Sequence, residues 1–159
     1  MAERKNTTKR KIMFVCTGNT CRSPMAQFLM IDRLRKKRKL SKYEISSAGL
    51  DVYEFDMMPE TKKILTELDV KVTPFKPTQL TDILVDRADL IVCMSDKHRK
   101  AIVSIMEHTA DKVFSSMQLI GEEIMDPFGM GMMAYEDTAS QINRLLDAIF
   151  EKEFGAKNS

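Results

Sequence analysis

Short apolar runs alternate with helix-period segments along this 159-residue chain. "KIMFVC" (residues 11–16) and "DLIVCM" (89–94) are continuous enough to read as strands buried on both faces, and "YEISSA" (43–48) and "KVFSS" (112–116) read as two weaker strands. Apolar positions recur with helical spacing from 24 to about 38 and over 58–68, 96–106 and 134–154. Four strands interleaved with helices predict an α/β fold, a single-domain doubly wound four-stranded parallel sheet flanked by helices. Residues 1–10 read as a basic, loosely held tail, and residues 11–155 as the one domain.

Composition narrows the class. Apolar residues make up 43% and charged residues 30%, a balance that suits a globular chain with a real core. No run approaches the roughly 18 apolar residues of a membrane span. The opening "MAERKNTTKRK" lacks the apolar centre of a secretory signal, so a cytoplasmic protein is expected. A formal net charge of +2 is too balanced to imply nucleic acid. Three cysteines, an odd number, argue for free thiols over a disulfide framework. Cys16 and Cys21 stand five apart, Cys93 is isolated, and His98 and His108 complete no ligand pattern, so no metal site is expected. The dense run "RLRKKRK" (33–39) reads as the solvated end of the first helix, where cations suit the macrodipole, or as a docking face for acidic partners.

The chemistry concentrates in "VCTGNTCRSP", between the first strand and the first helix. The strand is expected to end at Val15 and the helix to start near Pro24, since proline in a first turn forfeits no hydrogen bond. Residues 16–22 then lie at the carboxyl end of a parallel strand against a helix N-terminus, where open α/β sheets bind ligands. Gly18 is expected to supply the backbone angles that curl successive amides inward into an oxyanion nest. Thr17, Gly18, Asn19, Thr20 and Cys21 form the arc of that nest. Cys16 sits at its base, where the helix dipole, the converging amides and Arg22 favour the nucleophilic thiolate. The planar fork of Arg22 can hold two oxygens of a phosphoryl group. Ser23 is placed to donate a hydrogen bond to the sulfur and ease its departure.

"VCTGNTCRSPMA" resembles the active-site loop of the low-molecular-weight protein tyrosine phosphatases, and within that family the bacterial protein arginine phosphatases. "SSAG" (46–49), "RADLIVCM" (87–94) and "DPFG" (126–129) follow in the family's order, and the similarity runs from residue 11 to 150. The resemblance implies a cofactor-free phosphatase that hydrolyses phosphorylated protein side chains through a phosphocysteine intermediate, with Cys16 as nucleophile and Arg22 as phosphate clamp. Asp126 becomes the general acid and base; Pro127 disfavours helical angles there and leaves the carboxylate on an extended loop. From the Asp-Pro pair alone an ordinary turn is the favoured reading. The resemblance further implies that Ser47 holds Asn19, and that Tyr53 and Phe128 wall the pocket. A monomer acting on phosphorylated protein, with neither nucleic acid nor membrane as partner, is the expectation.

Several positions depart from the family pattern or leave alternatives open. Where many relatives carry a histidine before the third strand, this chain has Phe75-Lys76, so that histidine's support of the loop is absent or replaced. Thr20 stands where tyrosine phosphatases of the family usually carry Ile or Leu, and Phe128 is followed by Gly129 instead of a second aromatic. Both lean the substrate from phosphotyrosine toward phosphoarginine. Cys21 reads either as a partner for Cys16 in an oxidative disulfide or as a small buried filler. Thiol-dependent arsenate reduction on the same loop would need two resolving cysteines; Cys93 could be one, but Lys100 takes the place of the other.

Overall fold

Four parallel strands pair in the order β2-β1-β3-β4 in the computed structural model, which describes residues 8–155. The elements run β1 (Arg10–Cys16), α1 (Arg22–Lys36), β2 (Tyr43–Gly49), α2 (Pro59–Glu67), α3 (Asp82–Arg87), β3 (Leu90–Cys93), α4 (Asp96–Val103), β4 (Val113–Ser115), α5 (Ser116–Ile120) and α6 (Met132–Phe154). Single 3-10 turns lie at Leu40–Lys42 and Glu107–Thr109. The four-stranded parallel sheet and flanking helices are those expected from the sequence.

Side-chain alternation along β1 explains why both faces are covered. Ile12, Phe14 and Cys16 point into one core with Met25 and Phe28 of α1 and Tyr135, Ile142 and Leu146 of α6. Met13 and Val15 point into a second core with Val85, Ile91, Cys93 and Ile102. β1 pairs with β2 on one side and β3 on the other, so the strand order reverses at β1/β3. The loops leaving the carboxyl ends of β1 and β3 therefore flank the crevice where such sheets bind ligands.

The element boundaries correct the sequence reading in several places. β1 begins at Arg10, whose guanidinium forms a bidentate pair with Glu153 of α6 (Nη2 to Oε2 2.8 Å), so this residue belongs to the domain and not to the tail. Residues 1–7 of the expected tail lie outside the described residues. β1 runs through Cys16, not to Val15. α1 starts at Arg22, two residues before Pro24; first-turn amides have no intrahelical acceptor, so the proline costs nothing there. α4 stops at Val103 instead of 106. The short helices α3 and α5 had no expected counterpart. α5 begins with a capping box in which Ser115 and Gln118 satisfy each other's amides, and it takes Ser116 out of the strand expected there.

Candidate active site

The loop after β1 is anchored from outside by its carbonyls. Leu50 N–H donates to Cys16 O at 3.1 Å, Asp51 N–H to Thr17 O at 2.9 Å, Met58 N–H to Thr20 O at 3.0 Å and Met25 N–H to Cys21 O at 3.1 Å. Thr61 Oγ1 adds a second donor to Thr20 O at 3.0 Å. Carbonyls drawn outward leave the opposite side of the arc to its amides, the polarity an anion nest requires.

The left-handed residue in that arc is Asn19, with φ of 57°, and not Gly18 as the sequence suggested. Asparagine tolerates this region better than most side chains. A Cβ on Gly18 would meet nothing closer than Thr20 Oγ1 at 3.7 Å, an ordinary contact. The glycine that the site does require is Gly49 at the end of β2. A Cβ there would stand 2.6 Å from Thr17 O and 3.0 Å from Asn19 N, so only glycine lets β2 press against the loop.

Asn19 is fully buried and every polar atom of its side chain is engaged. Its Nδ2 donates to Ser23 Oγ at 2.8 Å and to Ser47 Oγ at 2.9 Å, while Oδ1 accepts from Thr78 N–H at 2.9 Å. The Ser47 hydroxyl donates to Gln27 Oε1 at 2.5 Å. Ser23 already accepts from Asn19, and its oxygen lies 2.9 Å from Cys16 Sγ. A Cys16 thiolate has no proton to give, so in that form the Ser23 hydroxyl proton is directed at the sulfur. The chain Asn19→Ser23→Cys16 has one direction throughout, and Cys16 itself is only 2% exposed.

Arg22 is buried and reaches across to the loop that follows α5. Its Nη1 donates to Ile124 O at 3.2 Å, and Nη2 lies 3.7 Å from Asp126 Oδ2. Asp126 Oδ1 accepts the Phe128 amide at 3.2 Å, a turn that holds the carboxylate on the cavity side. Cys16, Thr17, Gly18, Thr20, Cys21, Arg22, Tyr53, Asp126 and Phe128 thus line one cavity of about 290 Å³, with Asp51 as an additional wall. Tyr53 and Phe128 stand at its mouth, 78% and 60% exposed. Tyr53 Oη donates to Asp51 Oδ2 at 2.9 Å, which orients the ring from a residue that carried no signal in the sequence.

Cys21 points away from solvent, its sulfur sharing a hydrogen bond with Tyr135 Oη at 3.3 Å. Burial raises its thiol above the ordinary value, with the Tyr135 contact pulling the other way. Cys93 is wholly buried in the second core, on the opposite face of the sheet from Cys16, and burial holds its thiol far above the usual range. A resolving role for Cys93 is incompatible with that placement. Phe75, which takes the place of the family's histidine, packs edge-on against Phe28 with ring centroids 5.9 Å apart. Asn19 Oδ1 is instead satisfied by the Thr78 amide. A different histidine, His98, meets the loop from the β3 side, with Nε2 2.9 Å from Thr17 Oγ1.

A buried cysteine under a directed serine, faced by an arginine and an aspartate, defines the class of a cysteine-dependent phosphatase. Comparison with known proteins agrees. Residues 11–158 match the family described as low molecular weight phosphotyrosine protein phosphatase. The chain is 32% identical over 146 residues to a protein-arginine-phosphatase of Geobacillus stearothermophilus, covering 89% of this chain and 95% of that one. It is 31% identical over 140 residues to the probable low molecular weight protein-tyrosine-phosphatase EpsP of Ralstonia solanacearum, covering 87% and 92%. Among solved structures, the low molecular weight protein tyrosine phosphatase from T. tengcongensis superposes with a TM-score of 0.83 at 32% identity over 91% of this chain and 99% of that one. The YwlE arginine phosphatase from Geobacillus stearothermophilus does so with a TM-score of 0.79 at 32% identity, over 90% and 92%. The chain belongs to the low-molecular-weight phosphotyrosine protein phosphatase family.

Proposed function

We propose that this enzyme hydrolyses phosphorylated protein side chains through a phosphocysteine intermediate on Cys16, with phosphoarginine the preferred substrate. The directed hydrogen-bond chain ending on Cys16 carries the reading. In the first step the Cys16 thiolate attacks phosphorus, the S–P bond forms, and the bond from phosphorus to the leaving nitrogen or oxygen breaks. Asp126 delivers its proton to that leaving atom. The fork of Arg22 and the amides of residues 17–22 hold the phosphoryl oxygens as charge shifts among them. In the second step water attacks phosphorus, Asp126 takes the water's proton, and the S–P bond breaks. Ser23 stabilises the departing thiolate with its hydroxyl proton. Every residue of this constellation comes from one chain, so a monomer suffices.

Thr20 supports the lean toward phosphoarginine. It shares the cavity with Cys16, Tyr53 and Phe128, and its hydroxyl offers a polar contact where Ile would offer methyl groups. A guanidinium is planar but costly to desolvate unless it finds such a partner. Gly129 after Phe128 takes a φ of 74°, so the wall turns away after one aromatic ring. The exposed faces of Tyr53 and Phe128 favour a second reading, stacking on phosphotyrosine. The test is kcat/KM on phosphoarginine and phosphotyrosine for wild type and Thr20→Ile. Wild type should favour phosphoarginine and the Ile variant should shift the ratio toward phosphotyrosine. A wild-type preference for phosphotyrosine that the Ile variant leaves unmoved establishes the second reading.

A further inference from the structure

His98 completes no metal pattern, yet it is 4% exposed and hydrogen-bonded at both ring nitrogens. It lies in the first turn of α4, just after the end of β3. Thr17 lies just after the end of β1, the strand paired with β3 at the point where the strand order reverses. Adjacent strand ends therefore bring Thr17 Oγ1 and His98 Nε2 to 2.9 Å although the residues are 81 apart in the chain. At the other side of the ring, Ser95 Oγ lies 3.0 Å from Nδ1 and also accepts the His98 amide at 3.4 Å as the helix cap.

A hydroxyl oxygen can accept two hydrogen bonds, so these contacts fit either ring tautomer; in the one assigned here Ser95 Oγ donates to Nδ1 and the ring proton sits on Nε2. Nε2–H then donates to Thr17 Oγ1, and the Thr17 hydroxyl proton must point away from the ring. Thr17 is exposed to the catalytic cavity and also to an adjoining cleft of about 540 Å³ lined by Arg22, Lys97, His98 and Asp126. We infer that His98 is a positioning residue that acts through Thr17, fixing its hydroxyl as a donor toward substrate bound over Cys16. The inference rests on the phosphatase reading for its consequence on rate, while the arrangement of the hydrogen bonds stands apart from it. It also supplies a second brace for a loop whose Asn19 side is held by Ser47 and Thr78.

A double-mutant cycle tests this with an aryl phosphate as the probe. Thr17→Val and His98→Phe should each lower kcat/KM about tenfold, the loss of one hydrogen bond to a charged group. The double variant should fall no further than the worse single variant. His98→Gln places an amide nitrogen as far along the side chain as Nε2, and should recover activity to within about threefold of wild type. Losses that multiply in the double variant, or a Gln variant no better than Phe, overturn the inference. Nitrogen-15 spectra of the wild-type imidazole give a readout independent of turnover: a neutral ring protonated at Nε2 is expected, and protonation at Nδ1 overturns the assignment. This holds even if His98→Phe does not fold. A wild type inert toward every phosphate ester but showing the Nε2–H ring would instead sink the phosphatase reading and leave the brace intact.

Discussion

Ser23 Oγ stands 2.9 Å from Cys16 Sγ and accepts from Asn19 Nδ2 at 2.8 Å. A donor fixed in this way matters most when sulfur carries full negative charge as a leaving group. Ser23→Ala should therefore slow hydrolysis of the phosphoenzyme more than its formation, by about 10- to 100-fold for the loss of one hydrogen bond to an anion. Rapid-quench kinetics with a chromogenic aryl phosphate should show a larger ratio of burst rate to steady-state rate than wild type. Loss confined to the burst phase would place Ser23 in the attack step instead.

Arg22 uses one nitrogen on Ile124 O while the other faces Asp126. A lysine there keeps the charge but loses the fork. Arg22→Lys should cost about 10² to 10³ in kcat, measured at saturating substrate, with the melting temperature monitored because Ile124 O loses its donor. Cys16→Ser should abolish turnover while vanadate binding, followed by calorimetry, persists.

Asp126 is half exposed and held by the Phe128 amide, a geometry suited to meeting a leaving group at the cavity mouth. Asp126→Asn should slow esters of poorly acidic alcohols by about 10² to 10⁴ while sparing those with strongly acidic phenols. The slope of log kcat/KM against leaving-group pKa should steepen. An unchanged slope would make Asp126 structural.

Gly49 is packed against the loop by backbone alone. Gly49→Ala forces a methyl group into Thr17 O and Asn19 N, and overpacking of this kind costs about 1 to 3 kcal/mol. Chemical denaturation should show that loss, accompanied by a larger fall in activity than Ala substitution at Gly18, where there is room. Equal effects at the two glycines would contradict the close approach.

His98 is held neutral: burial first, then Arg22 and Lys97, push its pKa from 6.5 down to about 4, with Asp126 opposing. A group with a depressed folded-state pKa binds more protons when unfolded, so stability rises with pH across the gap. The contribution is complete above pH 6.5 and is lost as pH falls toward about 4. Melting temperatures of wild type should fall across that window more steeply than those of His98→Gln, and the two profiles should run parallel above it.

Legibility followed range along the chain. The membership of the cavity cluster around Cys16, Arg22 and Ser23 could be read because those residues are local neighbours set between a strand end and a helix start. The choice of left-handed residue could not, because Gly18 and Asn19 both tolerate positive φ and only packing selects between them. His98 carried no signal because its partner lies on another strand end, and their meeting depends on β1 and β3 being neighbours in the sheet. Gly49 was visible only as part of a family string, since its necessity comes from the approach of Thr17 and Asn19. The helix α5 was the exception: its Ser-x-x-Gln cap was in plain sight and was masked by the β-favouring "VFS" before it.

The contact between Arg22 and Ile124 joins segments 102 residues apart. Their meeting in the folded protein depends on the sheet order that sets β1, β3 and β4 side by side. An unfolded or half-assembled chain thus exposes an ordinary cysteine with no clamp beside it. Catalytic competence should appear in refolding as a single late event, after most secondary structure has returned, which makes turnover itself a stringent reporter of complete assembly.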